Sequence, residues 1–172
     1  MKASMWNIIT ELTDKNVLGL DGISSKLPRL TSRAIVINEE GKCAVLYANK
    51  HNLYSLPGGG IEAGEDEVSA LIREVEEETG CTCDSIHQLG IVSENRGHQD
   101  FTTLSYYFVV HTKAKPHALC LTEAEEQDGI SMMWCSVEEV LHLIKDVEHD
   151  TNQRKFLQAR DVAALMEYLK EN

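Results

Sequence analysis

The stretch Arg73-Glu74-Val75-Glu76-Glu77-Glu78-Thr79-Gly80 places four carboxylates within five positions. On a helix, Glu74 and Glu78 form a like-charge i,i+4 pair, which costs roughly 0.2–0.5 kcal/mol. Glu77 and Glu78 fall in the last turn before Gly80, a natural helix end. Carboxylates there oppose the macrodipole by roughly 0.3–1 kcal/mol each. A helix shaped by stability alone would carry these charges at its other end, and a multivalent cation accounts for them. On a wheel of 100° per residue, Glu74, Glu77 and Glu78 span roughly 100°. Three hard oxygen donors in one direction suit Mg²⁺ or Mn²⁺, ions that keep waters and share substrate phosphate oxygens. Glu76 points elsewhere, toward solvent. Arg73, i,i+4 from Glu77, is placed to orient it. Just upstream, Leu56-Pro57-Gly58-Gly59-Gly60 leads toward the same helix. Pro57 stiffens the entry, and Gly58 and Gly59 leave room for backbone to approach a ligand or metal.

The elements that must position these groups follow from patterning. Asp66 to Thr79 reads as a helix with Val68, Leu71, Ile72 and Val75 as its apolar stripe, centred about 110° from the glutamates. Ala34–Asn38 and Cys43–Ala48 are β-prone runs around Glu39-Glu40-Gly41-Lys42, a hairpin. Two more strands, from Ser85 to Asn95 and from Phe101 to Thr112, flank a polar turn from Arg96 to Asp100. Lys113 to Gly129 reads as a long acidic loop. Ile130 to Ser136 is a strand, and Ser136 is placed to cap a following helix. An amphipathic helix ends the chain, and residues 1–30 form a short lead-in with at most a helix or strand. Strands and helices mix without a regular βαβ repeat, which predicts an α+β fold, an α-β-α sandwich around a mixed sheet.

Composition limits the function classes. The 172 residues fit a single domain, and 42% hydrophobic with 26% charged residues is ordinary for a globular protein. A formal net charge of −12 opposes a nucleic-acid or membrane-surface partner. It admits a small phosphorylated substrate whose charge a metal offsets. Five cysteines (Cys43, Cys81, Cys83, Cys120 and Cys135) form an odd set without repeated CxxC spacing, which points to free thiols and a cytoplasmic setting. The opening residues lack the apolar core of a signal peptide, and no run reaches membrane-spanning length. The sequence sets no oligomeric state and is compatible with a homodimer.

Gly59, Glu65, Arg73, Glu74, Glu77, Glu78 and Gly80 stand at the spacing of a complete Nudix box over Gly59–Cys81, and the chain resembles MutT-like Nudix hydrolases. Seven identities at roughly 6% background each would coincide by chance on the order of 10⁻⁹ per start position. Cys81 replaces the usual aliphatic residue, which a small buried thiol can do. The resemblance implies a Nudix fold and Mg²⁺-dependent hydrolysis of a nucleoside diphosphate linked to another group. It implies Glu77 and Glu78 as principal metal ligands, Glu74 as a further ligand or base, and the Gly58 carbonyl as a backbone ligand. Arg73 and Glu65 would tie the loop to the helix.

In such hydrolysis, water attacks phosphorus, metal ions neutralise developing charge, and a carboxylate takes the proton. The base varies in the family. Outside the box the acidic run Thr122-Glu123-Ala124-Glu125-Glu126 is the obvious supplier, with Glu126 first and Glu123 second. Substrate contacts are expected from Arg33, Lys50, Tyr54 and Arg96, with specificity in the loops Lys50–Tyr54 and Glu94–Gln99; Tyr54 serves equally as a core residue. Met132, Met133 and Trp134 are expected to fill the core. Markers of the ADP-ribose, dinucleoside-polyphosphate, coenzyme A and RNA-end branches are missing, which leaves a nucleoside triphosphate-type pyrophosphohydrolase. The alternatives are an ADP-ribose or nucleotide-sugar pyrophosphatase, or a catalytically silent nucleotide-binding sensor.

Overall fold

A computed structural model describes residues 5–113 and 123–172, with Glu123 and Ala124 described by their backbone alone. The strands are β1 (Ile8–Thr13), β2 (Arg29–Ile37), β3 (Cys43–Ala48), β4 (Leu53–Ser55), β5 (Gly58–Gly60), β6 (Thr82–Arg96), β7 (Phe101–Lys113) and β8 (Ile130–Cys135). The helices are α1 (Asp14–Leu18), α2 (Glu67–Thr79), α3 (Glu123–Gln127), α4 (Val137–Lys145) and α5 (Asn152–Glu171). Among the described residues the strands make one mixed sheet in the order β1-β6-β7-β2-β3-β4, with β5 paired to β2 and β8 to β3. β1 runs parallel to β6 and β2 parallel to β7; the other pairs are antiparallel.

Side-chain alternation divides the core between two faces. Ala34, Val36, Ala44, Phe108 and Val110 pack with Leu71 and Val75 of α2. Ile35, Ile37, Cys43, Val45 and Tyr107 pack on the other face with Val140 and Ile144 of α4 and Phe156 and Leu165 of α5. Residues 34–37 are buried on both faces, as a central strand must be. The expected α+β sandwich is observed. In β8, Met132 and Trp134 pack toward α2, while Met133 and Cys135 pack toward α4 and α5, so the three expected core residues do fill it.

The helix ends follow their caps. Asp66 accepts from Ser69 N at 2.7 Å to start α2, and the Gly80 N–H closes it on Glu76 O at 3.0 Å. Ser136 caps α4 in a reciprocal capping box with Glu139.

Three expectations change. The opening segment is more than a lead-in: β1 pairs along β6, and the buried Asp14 accepts from His98 N at 2.6 Å. The acidic stretch before Gly129 contains α3 rather than loop alone. The buried arc of α2 is also rotated. Ala70, Leu71 and Val75 are fully covered, Ile72 is half-buried, and Val68 is 38% exposed. The reason is that Glu78 occupies the buried side, at 4% exposure, and leaves Val68 at the rim. Cys43, Cys81, Cys83 and Cys135 are free thiols; Cys120 lies outside the described residues. Among the described residues, no helix is long and apolar enough to cross a membrane.

Candidate active site

β5 lies antiparallel along β2, with Gly58 opposite Arg33 and Gly59 opposite Ser32, and the glycine turn lies against Glu74 and Glu78 in the second half of α2. Gly58 adopts φ +147°, and a Cβ there would overlap Ser32 O and the Arg33 side chain. A Cβ on Gly59 would overlap the Glu74 carboxylate. The two glycines therefore let backbone and carboxylate meet without a side chain between them. Gly58 N donates to Glu78 Oε1 at 3.2 Å. Gly58 O faces Arg33 Nη1 at 3.5 Å.

Arg73 ties this arrangement together. Its Nε donates to Glu65 Oε1 at 3.1 Å, its Nη2 to Gly60 O at 3.1 Å and its Nη1 to Glu74 Oε1 at 2.7 Å. Glu77 Oε2 stands 3.5 Å from the same Nη1. One guanidinium thus joins the loop at Glu65, the strand at Gly60 and two glutamates of α2, a fork that a lysine could not match. Glu76 is exposed, as expected.

Burial makes Glu77 and Glu78 reluctant to ionise. Burial pushes the Glu78 carboxyl up to about 9, reinforced by its hydrogen bond with Glu74 and the Glu74 charge. Burial also raises Glu77, with Glu74 adding to it and Arg73 opposing. Among the described residues no three acidic, histidine or cysteine side chains stand together as a ready-made metal cage. The donor set nevertheless fits a hard divalent cation. Glu74 and Glu78 are in hydrogen-bond contact, Glu77 adjoins Glu74 across Arg73, and every donor, Gly58 O included, is oxygen. A cation here would offset the burial and the Glu74 charge that together hold a proton on Glu78.

The outer residues divide. Arg33 lies beside the glycine turn, half-buried, with its Nε covered and unpartnered. Tyr54 stacks on Tyr47 with ring centroids 4.4 Å apart and packs against the core. It also lines a cleft of about 650 Å³ with Asn52, Met133 and Leu143. Lys50 is exposed in the turn Asn49–His51, with its N–H donating to Asp128 O at 3.3 Å.

Arg96 is not a substrate contact. β6 runs on to Arg96, so Val92, Glu94 and Arg96 alternate inward. Arg96 Nη2 pairs with Glu94 Oε1 at 2.7 Å, and its guanidinium lies over the Phe101 and Phe156 rings at 5.4 and 5.3 Å. Glu94 and Arg96 are core groups, so of the segment Glu94–Gln99 it is His98 and Gln99 that remain exposed.

Of the candidate bases, Glu126 is exposed, and the Glu123 side chain lies outside the described residues. Glu125, half-buried between them, is the acid of α3 whose charge bears on Glu77. Sequence reasoning passed over it because choosing among adjacent acids requires the phase of a five-residue helix. It also passed over Asp161, which accepts from Leu56 N just before the glycines, and Tyr107, whose hydroxyl bonds Asp161; both contacts join residues far apart in the chain.

A model of the NUDIX domain matches residues 27–159. No curated protein sequence matches the chain. Among solved structures, a NUDIX hydrolase from Nitrosomonas europaea is similar over 84% of this chain and 90% of its own, at 21% identity and TM-score 0.62. A MutT protein from Methanosarcina mazei matches over 86% and 97%, at 21% identity and TM-score 0.60. A MutT NUDIX hydrolase from Burkholderia pseudomallei matches over 78% and 98%, at 17% identity and TM-score 0.54. At these identities the structures speak for the fold, and the domain match carries the family: the chain belongs to the NUDIX domain family.

Proposed function

We propose that this chain is a divalent-metal-dependent hydrolase that cleaves the diphosphate linkage of a small nucleoside diphosphate derivative, with nucleoside triphosphates the first substrates to test. The observation that carries the reading is the convergence of Glu74 and Glu78 on the Gly58–Gly59 turn, with Glu77 beside them on the same guanidinium. Glu74, Glu77, Glu78 and Gly58 O would hold Mg²⁺, with Mn²⁺ as a substitute. When bound, such an ion supplies positive charge to the phosphate oxygens and to the attacking water.

The chain's own groups do the rest. Arg73, fixed by Glu65 and Gly60 O, keeps Glu74 and Glu77 aimed at one place. Gly58 N orients Glu78. Glu125 replaces Glu126 and Glu123 as the base outside the box: its carboxylate takes the proton of the attacking water as the new oxygen–phosphorus bond forms. The bridging P–O bond of the diphosphate breaks, its electron pair leaving on the departing phosphate oxygen. Arg33 lies beside the glycine turn, where a cation can meet a phosphate oxygen, and the exposed Lys50 is a second cationic candidate for the substrate. Family membership supports a small nucleotide derivative as substrate, and the net charge of −12 disfavours a nucleic-acid or membrane-surface partner.

The test is a panel of nucleoside triphosphates, modified deoxynucleotides, ADP-ribose, dinucleoside polyphosphates and nucleotide sugars with Mg²⁺, read by product masses. Triphosphate turnover above the others supports the reading. Preference for ADP-ribose or a nucleotide sugar would change the substrate and keep the metal site. Tight binding of one compound with turnover of none would make the protein a nucleotide sensor.

A further inference from the structure

On the sheet face opposite α2, α5 directs a carboxylate through the core toward the strand that leads into the glycine turn. Asp161 is fully buried. Its Oδ2 accepts from Leu56 N at 2.9 Å. Its Oδ1 accepts from Arg160 Nε at 3.0 Å and from the Tyr107 hydroxyl. Leu56 stands two residues before Gly58, and the groups between are held as well. Pro57 O accepts from Ala34 N at 2.9 Å, and Gly58 is gripped by Arg33 and Glu78. The backbone from Leu56 to Gly58 is thus fixed from both faces of the sheet.

This cluster is an expensive way to fill a core. Arg160 bonds Asp161 in the core, the Arg33 charge also bears on it, and Arg33 Nε has no partner. Buried ion pairs of this kind are often no more stabilising than apolar groups of the same volume, whereas they do fix geometry. We propose that Asp161 is a positioning residue. Through Leu56 it sets where the Gly58 carbonyl and N–H stand relative to Glu78, so the cation site on the α2 face is aligned from α5. The inference rests on the metal-binding reading above.

The test measures Mn²⁺ binding to the full chain by electron paramagnetic resonance, beside thermal stability. In Asp161→Asn a single amide oxygen must serve three donors, and the NH₂ is forced against one of them. The folded variant is expected to bind Mn²⁺ about tenfold more weakly, the size of effect seen for outer partners of metal ligands. Tyr107→Phe leaves both carboxylate oxygens to Leu56 and Arg160, so it should lose stability yet keep wild-type Mn²⁺ affinity. Wild-type affinity in Asp161→Asn, or equal weakening in both variants, would overturn the inference and leave the metal site standing. Absence of Mn²⁺ binding by the wild type would instead remove the functional reading itself. Should Asp161→Asn not fold, a Mg²⁺ titration of the wild type by NMR decides. The Leu56 amide resonance should move with the same half-saturation as that of Gly58, and a stationary Leu56 amide would refute the coupling.

Discussion

Replacing Glu78 with glutamine should stabilise the metal-free protein. Glu78 is 4% exposed, and burial with the Glu74 contact moves its carboxyl from an ordinary 4.5 to about 9. At neutral pH the folded chain holds a proton there that the unfolded chain releases. Between 4.5 and about 9 the folded state therefore binds the extra proton, and stability falls as pH rises. Each pH unit above the ordinary value costs about 1.4 kcal/mol, which gives about 3 kcal/mol near pH 7. Glutamine keeps the shape, accepts from Gly58 N, donates to Glu74 and has no proton to lose. The gain of up to about 3 kcal/mol corresponds to a Tm rise of about 6–12 °C for a chain of this size. The assay is scanning calorimetry in chelator from about pH 5 to about pH 8. The gap between variant and wild type should be small at the acid end and widen toward the alkaline end. A wild type as stable as Glu78→Gln near neutrality, or a gap independent of pH, would refute the reasoning.

The same linkage makes the Tm gain from Mg²⁺ grow with pH, because the ion displaces the Glu78 proton; a gain that is flat or shrinks toward alkaline pH would contradict it. Glu125→Gln should lower kcat about 10²-fold or more with Mn²⁺ affinity kept, while Glu126→Gln leaves both near wild type. The reverse order, seen in single-turnover rates, would return the base to Glu126. Arg96→Ala should cost about 3–5 kcal/mol in denaturant unfolding, since it strands Glu94 in the core. KM in the folded fraction should not change; a KM effect without lost stability would restore Arg96 to the substrate.

The parts legible in the sequence were those written in local chemistry. Asp66 and Gly80 bound α2 within a residue, Ser136 starts α4, and β3 and β8 follow their apolar runs, while β2 extends its run back through polar residues to Arg29. The box glutamates and their glycines were legible because spacing alone places them together. The rotation of α2 was not, because counting glutamates as polar turns the buried face away from them, toward Val68. Arg96 misled for the same reason: a charged residue beside a turn reads as surface until β6 is seen to continue and pair it with Glu94. β1 was hidden by Thr10 and Glu11, which interrupt its apolar pattern on a sheet edge. The Asp161 contact joins residues 105 apart, a distance no local pattern can report.

The central claim is that the box carboxylates hold a divalent ion that makes water attack a nucleotide diphosphate. Turnover of a nucleoside triphosphate in H₂¹⁸O with Mg²⁺, read by mass spectrometry of the products, tests it most directly. The account predicts one ¹⁸O per turnover in a phosphate-bearing product, no turnover in chelator, and a loss of at least about 10²-fold in Glu77→Gln with the fold intact. Turnover that survives chelation, or that Glu77→Gln leaves at the wild-type rate, would contradict it.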